Sequence, residues 1–371
     1  MIRVAVVGTG GIAEFHAQDL ALLGDRAQLV AVVDVDGARL DAFAERWSVP
    51  YTFSGLAEML ATARPDVVNL CTPPGLHHAQ ALVCLAAGVT VVCEKPPALS
   101  LAELDEITAA QAAGGGRFAT VFQHRFGSGA RRLRALTGTP PLGRPMAAVC
   151  NTLWFRPDDY FAPEWRGVWE VEGGGPTMGH GIHQMDLLLS VLGPWREVVA
   201  VAGRRARPTA TEDVSAALVT FADGTIATVL NSLLSPRQSS YLRFDYEYAT
   251  VELEHLYGYD DAAWTVTGAD GHEEAVTAAW LAGPMGQPSG HAAQFGAVFD
   301  ALDTGAPPPV TPADARATLE LVAAIYASAF TGERIRSGEI GPDSPFYHRM
   351  DGSGAPWPPS QPSGPGIEVL V

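Results

Sequence analysis

The first thirteen residues constrain the fold of this chain more than any other stretch. Residues 2–7 form a short apolar run dominated by β-branched side chains, and Gly8-Thr9-Gly10-Gly11-Ile12-Ala13 follows at once. A segment of helical character then covers 12–23. A buried strand that turns on glycines straight into a helix is the opening of a parallel α/β unit. The strand type recurs at 28–33, 67–71 and 89–93, with helical segments at 37–47, 55–63 and 76–87, the last closed by Gly88. Ser100-Leu-Ala-Glu103 reads as a capping box for another helix, which runs out at Gly114-Gly-Gly116, and 118–122 supplies a closing strand. This alternation predicts an α/β fold built on a doubly wound parallel sheet.

Beyond residue 122 the pattern changes. Strand-like runs succeed one another at 146–155, 197–202, 214–221, 225–231, 241–248 and 250–254, with Ala222-Asp-Gly-Thr225 as a hairpin turn. Strands without intervening helices imply a largely antiparallel sheet, so a boundary falls near Gln123. The expected division is 1–123, 124–345 and a tail of 346–371. Helices at about 180–192, 288–303 and 312–330 are expected to flank the second sheet, the last opening on Thr311-Pro-Ala-Asp. Proline, glycine and serine crowd 351–366, which predicts a loosely attached arm or a disordered one.

Composition bears on partners. Hydrophobic residues make up 47% and charged residues 18% of the 371, enough apolar material for a substantial core. Lysine plus arginine number 24 against 41 acidic residues, a net charge of −17 that disfavours nucleic acid and anionic membranes. The start lacks the pattern of a signal peptide, and no apolar run approaches the roughly 18 residues that span a bilayer. The expectation is a soluble, cytoplasmic protein. Cys71, Cys84, Cys93 and Cys150 form no C-x-x-C pair, which argues against a zinc knuckle or a dithiol and for small buried hydrophobes.

Three regions could carry chemistry. The glycine turn fits G-x-G-x-x-G/A with Ala13 in the third slot, a geometry that lets backbone approach a pyrophosphate at a helix N-terminus. Asp34 ends the second strand, 21 residues after Ala13, where a carboxylate accepts from an adenosine ribose and repels a 2′-phosphate. The same residue, or Asp36, could instead cap a helix. Cys71-Thr72-Pro73-Pro74, with His77 beyond it, and Cys93-Glu94-Lys95-Pro96-Pro97 follow strands at the edge where open α/β sheets bind ligands. Finally Trp165-Arg166 precedes Gly173-Gly-Gly175-Pro-Thr-Met-Gly179-His180-Gly-Ile-His183-Gln-Met-Asp186. Here His180, His183 and Asp186, spaced by three, are expected to share one side of a helix. A histidine of ordinary pKa suits proton exchange with a hydroxyl. The H-x-x-H spacing lacks a clear further ligand, so no metal is expected.

Together these segments resemble the Gfo/Idh/MocA family of oxidoreductases over residues 2 to roughly 337. The resemblance rests on VGTGGIAEFHA, on CTPPGLHHAQALVCLAAGVTVVCEKP, and on WR followed by GGGPTMGHGIHQMDLLLSVLG. It implies a Rossmann domain followed by an α/β domain with an open, mainly antiparallel sheet that joins subunits into homodimers or homotetramers. It implies hydride transfer between a nicotinamide cofactor, here NAD rather than NADP, and a carbinol carbon of a sugar, cyclitol or related polyol. Carried over to this chain, Gly8, Thr9, Gly10, Gly11 and Ile12 match the pyrophosphate turn and Asp34 the ribose contact. Cys71, Thr72, Pro73 and His77 match the cofactor-side loop, and Glu94, Lys95 and Pro96 the Glu-Lys-Pro motif, whose proline bond is often cis. Gln123 matches a polar position facing the nicotinamide, Arg166 an arginine beside it, and His183 the catalytic histidine.

One position departs from the pattern. Many relatives carry aspartate four residues before the histidine, where this chain has Gly179. His183 as acid/base and Lys95 as polarising donor are the expected pair, with the roles reversible and His180 or Asp186 able to compensate, although Asp186 also matches a family position that could simply support the helix. The resemblance also admits a redox-neutral glycosidase that retains NAD, and a non-catalytic NAD sensor. Trp154, Phe155, Tyr160, Phe161, Trp165 and Trp169 are of the type that stacks on sugars or packs a core.

Overall fold

The computed structural model describes residues 1–358. Six parallel strands make the first sheet: β1 (Ile2–Val7), β2 (Ala27–Val33), β3 (Tyr51–Phe53), β4 (Val67–Leu70), β5 (Thr90–Cys93) and β6 (Phe118–Thr120), in the order β3-β2-β1-β4-β5-β6. The helices that alternate with them are α1 (Gly11–Ala21), α2 (Gly37–Trp47), α3 (Leu56–Ala63), α4 (His77–Ala86) and α5 (Leu101–Ala113). As expected, Ser100 caps α5 through its hydroxyl. The order reverses between β1 and β4, so the loops leaving these strands part there and open a crevice at the carboxyl edge. β3 was not anticipated, being only three residues long with no buried run to mark it.

After α6 (Ser128–Leu136), a second sheet of eight strands begins with β7 (Pro145–Phe155). Two short helices, α7 (Trp169–Glu172) and α8 (Pro176–Gly179), lead into α9 (Ile182–Leu192). The sheet continues with β8 (Trp195–Gly203), β9 (Val214–Phe221), β10 (Ile226–Ser232), β11 (Leu234–Tyr246), β12 (Ala249–His255) and β13 (Trp264–Gly268). Beyond these come α10 (Glu273–Leu281), α11 (His291–Thr304), α12 (Pro312–Thr331), β14 (Ile335–Arg336) and α13 (Pro345–His348). The strand order is β13-β12-β11-β7-β10-β9-β8-β14, antiparallel except where β7 and β10 run parallel. The predicted hairpin joins β9 and β10, with Gly224 at φ +95° and Asp223 accepting from the Thr225 N–H.

One face of this sheet carries helices: the Ser328 hydroxyl on α12 accepts from the Ala200 N–H at 2.9 Å. The other face leaves apolar side chains in solvent in strict alternation. Val199 and Val201 are 43% and 67% exposed while Val198 and Ala200 between them are buried.

Two expectations about helices and tail are corrected. α11 does not flank the second sheet; its Phe295, Val298 and Phe299 pack with Leu20 on α1 and with Val4, Val67, Val92 and Ala119 on the first sheet. An apolar stripe specifies that a helix packs, not on which sheet, so the chain returns to its first domain here. The tail is docked through Trp357, whose indole N–H donates to the Ala210 carbonyl at 2.8 Å and whose ring meets Phe330 edge-on. Phe346 and Met350 are buried beside it. The rest of the predicted arm, 359–371, lies outside the described residues. All four cysteines are free and buried, and burial pushes the Cys84 thiol up to about 12. No helix among the described residues is long and apolar enough to cross a membrane.

Candidate active site

The glycine turn occupies the switch point. Gly8 sits at φ +89°, and a Cβ there would lie 2.9 Å from the carbonyl of Cys71 in the loop after β4. Only glycine both adopts this backbone and admits that neighbour. Cβ atoms built on Gly10 and Gly11 meet nothing within 4 Å, and no side chain caps α1. The turn thus leaves room before an uncapped helix N-terminus, a cradle that fits a pyrophosphate.

Asp34 lies at the end of β2 with its carboxylate beside this turn. It accepts from the Thr9 N–H and hydroxyl at 2.7 and 2.6 Å, from the Asp36 N–H at 2.9 Å and from Arg39 at 3.2 Å. Burial pushes its pKa up, but these donors outweigh it and hold the group below the usual carboxylate range. Asp36, not Asp34, caps α2 by accepting from the Ala38 and Arg39 N–H groups. Asp34 is thus a fixed anion whose lone-pair sites all have donors, two on each oxygen, so a ribose hydroxyl would bind it in place of one of them, the Arg39 contact at 3.2 Å being the longest.

The loops after β4 and β5 are tied together by His77. Its ring nitrogens lie 2.8 Å from the Pro96 carbonyl and 2.9 Å from that of Thr72, with no solvent exposure. It stands behind the cleft wall, and Cys71 likewise contributes backbone rather than a thiol. The Lys95–Pro96 bond is cis, as the resemblance implied. Thr72 donates to Gln80 at 2.7 Å.

Glu94 is buried in a network that the sequence did not reveal. His16 on α1 and His291 on α11 approach its Oε1 at 2.8 and 3.2 Å, and Asp19 stands 3.4 Å from the other nitrogen of His291. Hydrogen bonds and charge from the two histidines overcome burial and hold Glu94 well below the usual range. Burial would lower His291, but Asp19 and Glu94 raise it to about 9. The helix that returns to the first domain therefore clamps the residue preceding Lys95.

Lys95, Gly179, His180, Arg156, Arg166 and Glu172 enclose a cleft of about 240 Å³ with Ile12 and Thr72 on its cofactor side. The Lys95 ammonium donates to the Gly179 carbonyl at 2.7 Å. Burial lowers the lysine's pKa, and Arg166 and Arg156 add to this against Glu94 and Glu172. Arg166 pairs with Glu172 at 3.0 Å and lies over the rings of Tyr160 and Trp165.

His180 and His183 do not share a helical face. α8 ends at Gly179 and α9 starts at Ile182, because a Cβ at Gly181 would fall 2.0 Å from Asn231 Oδ1 and the chain passes close to β10 there. His180 consequently turns into the cleft, edge-on to Trp154 at 5.1 Å, with its Nδ1 enclosed and unpartnered. His183 is 2% exposed and stacks on His124 at 4.9 Å, neither ring nitrogen having a hydrogen-bond partner. Burial first, then the charges of Lys95 and His124, hold it far below 6.5 and so neutral. Gln123, next to that histidine pair, also has an unpartnered buried Oε1. Orphaned buried polar atoms in one neighbourhood are what a bound ligand would satisfy.

Asp186 is not among them. Arg125 grips it through two bonds of 2.7 Å and Thr318 donates to it, so it braces α9 from behind. It is in no position to replace the missing carboxylate. Trp169 likewise belongs to the core, against Tyr326. Arg156, Glu172, His124 and Tyr257 were not anticipated; isolated polar residues in the connections and short helices between strands carry no spacing signal.

Comparison with known proteins gives two family models: an oxidoreductase family with an NAD-binding Rossmann fold over residues 2–122, and a GFO/IDH/MocA C-terminal domain over 130–271. Among curated proteins, D-glucoside 3-dehydrogenase of Escherichia coli is 33% identical over 196 residues, 52% of this chain and 54% of that one. Inositol 2-dehydrogenase 3 of Saccharopolyspora erythraea is 34% identical over 40% of this chain and 44% of its own. The chain thus spans about half the length of these curated relatives. Among solved structures, the WlbA dehydrogenase from Bordetella pertussis, in complex with NADH and UDP-GlcNAcA, has 29% identity and a TM-score of 0.80, covering 90% of this chain and 98% of that one.

Proposed function

The chain belongs to the Gfo/Idh/MocA oxidoreductase family, and from that premise we propose that it transfers a hydride between NAD(H) and a carbinol carbon of a sugar, cyclitol or related polyol. The observation that carries this reading is a Lys95 ammonium whose charge reaches two histidines held neutral, His180 lining the same cleft and His183 buried against His124, with Nδ1 of the first and both nitrogens of the second unpartnered. Bound NAD would supply the hydride acceptor.

The chain's own residues would do the rest. The N-terminus of α1 and the anionic Asp34 fix the cofactor's pyrophosphate and ribose ends. Lys95, still cationic, donates to the substrate oxygen and stabilises charge as the hydroxyl ionises. His183, neutral, takes the hydroxyl proton while the carbon gives up hydride with its electron pair. Gly179 offers only its carbonyl, so Lys95 is anchored by a backbone dipole in place of a carboxylate. His180 supplies a second neutral acceptor in the cleft. Relatives bearing dehydrogenase names support the redox reading over the glycosidase and sensor alternatives.

The uncovered apolar face of the second sheet, with Val199, Val201, Leu218 and Ile226 exposed, supports assembly of copies through this sheet. The test of activity is NADH formation at 340 nm over a panel of sugars and inositols. Formation in step with substrate oxidation is expected; product without net NADH would contradict it.

A further inference from the structure

The cleft is cationic although the chain as a whole carries −17. Its carboxylates are already engaged. Glu94 is held by His16 and His291, and Glu172 accepts from Arg166 and from the Gly167 N–H. Against them stand Lys95, Arg156 and Arg166, all lining the same space around His180. Arg166 has its acid. Arg156 has none among the described residues: its guanidinium reaches the carbonyl of the adjacent Phe155 at 3.2 Å and the Tyr160 hydroxyl, both neutral groups, and its buried Nε is unpartnered.

The aromatic residues explain how that cation is held. The Arg156 guanidinium lies 4.7 Å from the Trp154 ring centre and 5.1 Å from that of Tyr160. Two ring faces therefore hold a planar, permanently charged fork at the cleft wall at little further entropic cost. The faces of Trp154, Tyr160 and Trp165 that a neutral sugar would stack on are, in each case, occupied on one side by arginine. An oriented guanidinium without an acid is suited to an anionic oxygen group, which it binds through two parallel bonds.

We propose that the substrate is an anionic polyol, a sugar or cyclitol bearing a carboxylate or phosphate, and that Arg156 is the residue that selects it. This rests on the dehydrogenase reading and adds the substrate's charge to it. Binding of the anion by Arg156 would leave the hydroxyl under oxidation to Lys95, which lines the same cleft.

The test uses the full chain loaded with NADH. Glucuronate, galacturonate and glucose 6-phosphate are titrated against glucose and galactose, following tryptophan fluorescence, since Trp154 and Trp165 line the site. Tighter binding of an acid or the phosphate than of its neutral parent, by roughly tenfold or more, is expected, with the better of the two naming the anion. Arg156→Gln should erase that preference, Arg156→Lys should keep part of it, and added salt should weaken it. In turnover with NAD, Arg156→Gln should raise KM for the anionic substrate far more than it lowers kcat. Equal or tighter binding of the neutral parents, or a preference that survives Arg156→Gln, would overturn the inference and leave the dehydrogenase reading standing. Failure of the unaltered chain to bind NADH would overturn that reading and this inference with it.

Discussion

The Lys95 ammonium lies 2.7 Å from the backbone carbonyl of Gly179, at the position where the resemblance to the family implied a carboxylate. A carbonyl dipole anchors a lysine but compensates its charge only in part. Burial and the two neighbouring arginines then leave Lys95 with a lowered pKa. Loss of its proton should cut the rate on the basic side of the pH profile, below the ordinary lysine value near 10.5.

Gly179→Asp tests that relationship directly. A Cβ at 179 meets nothing within 4 Å, so the side chain enters open space beside the ammonium. An opposite charge at such range raises a lysine's pKa by about one unit or more. The basic limb of kcat/KM should move up accordingly, with the melting temperature little changed. A limb that stays in place would separate Lys95 from the titration.

Gly8 and Gly11 should respond differently to alanine. Gly8→Ala combines a left-handed backbone with a clash at the Cys71 carbonyl, which should cost about 1–3 kcal/mol of stability and weaken NADH binding. Gly11 starts α1 in open space, so Gly11→Ala should leave the melting temperature unchanged and weaken only the nucleotide. Thermal melts and NADH titrations of both variants check this.

His291 predicts a pH dependence of stability. Its folded pKa is raised to about 9 from 6.5, so its contribution is complete below 6.5 and is lost as pH rises through 9. Glu94, held low, contributes above its ordinary 4.5 and loses that contribution as pH falls. Chemical denaturation between pH 6 and 10 should show a decline on the order of a few kcal/mol that His291→Gln flattens. A His291→Gln profile parallel to the unaltered chain's would contradict this account of the clamp on Glu94.

Much of this was legible in the sequence, and the gaps have physical causes. The strand, glycine turn and helix at Gly8 to Ala13 are local, so the parallel sheet and the position of Asp34 followed from them. Lys95 and His183 were singled out through the family's motifs. The turn of His180 into the cleft was not, because it depends on how closely Gly181 passes Asn231, a contact between residues fifty apart. Asp186 read either as a proton carrier or as a support for its helix, and the choice depended on Arg125, which meets it from a distant segment and fixes it as a support. Arg156 gave no signal, since a charge just past the end of a strand reads as a solvated surface residue until Trp154 and Tyr160 are seen to hold it.

The central claim is that Lys95 and His183 handle the proton while NAD(H) takes or gives the hydride. Its most direct measurement compares Lys95→Ala and His183→Ala with the unaltered chain, recording NADH affinity and kcat on the best substrate of the 340 nm screen. The account predicts that kcat falls by roughly 10²- to 10⁴-fold in each variant while the dissociation constant for NADH changes by no more than a few-fold. Turnover retained within about tenfold in both variants would contradict it.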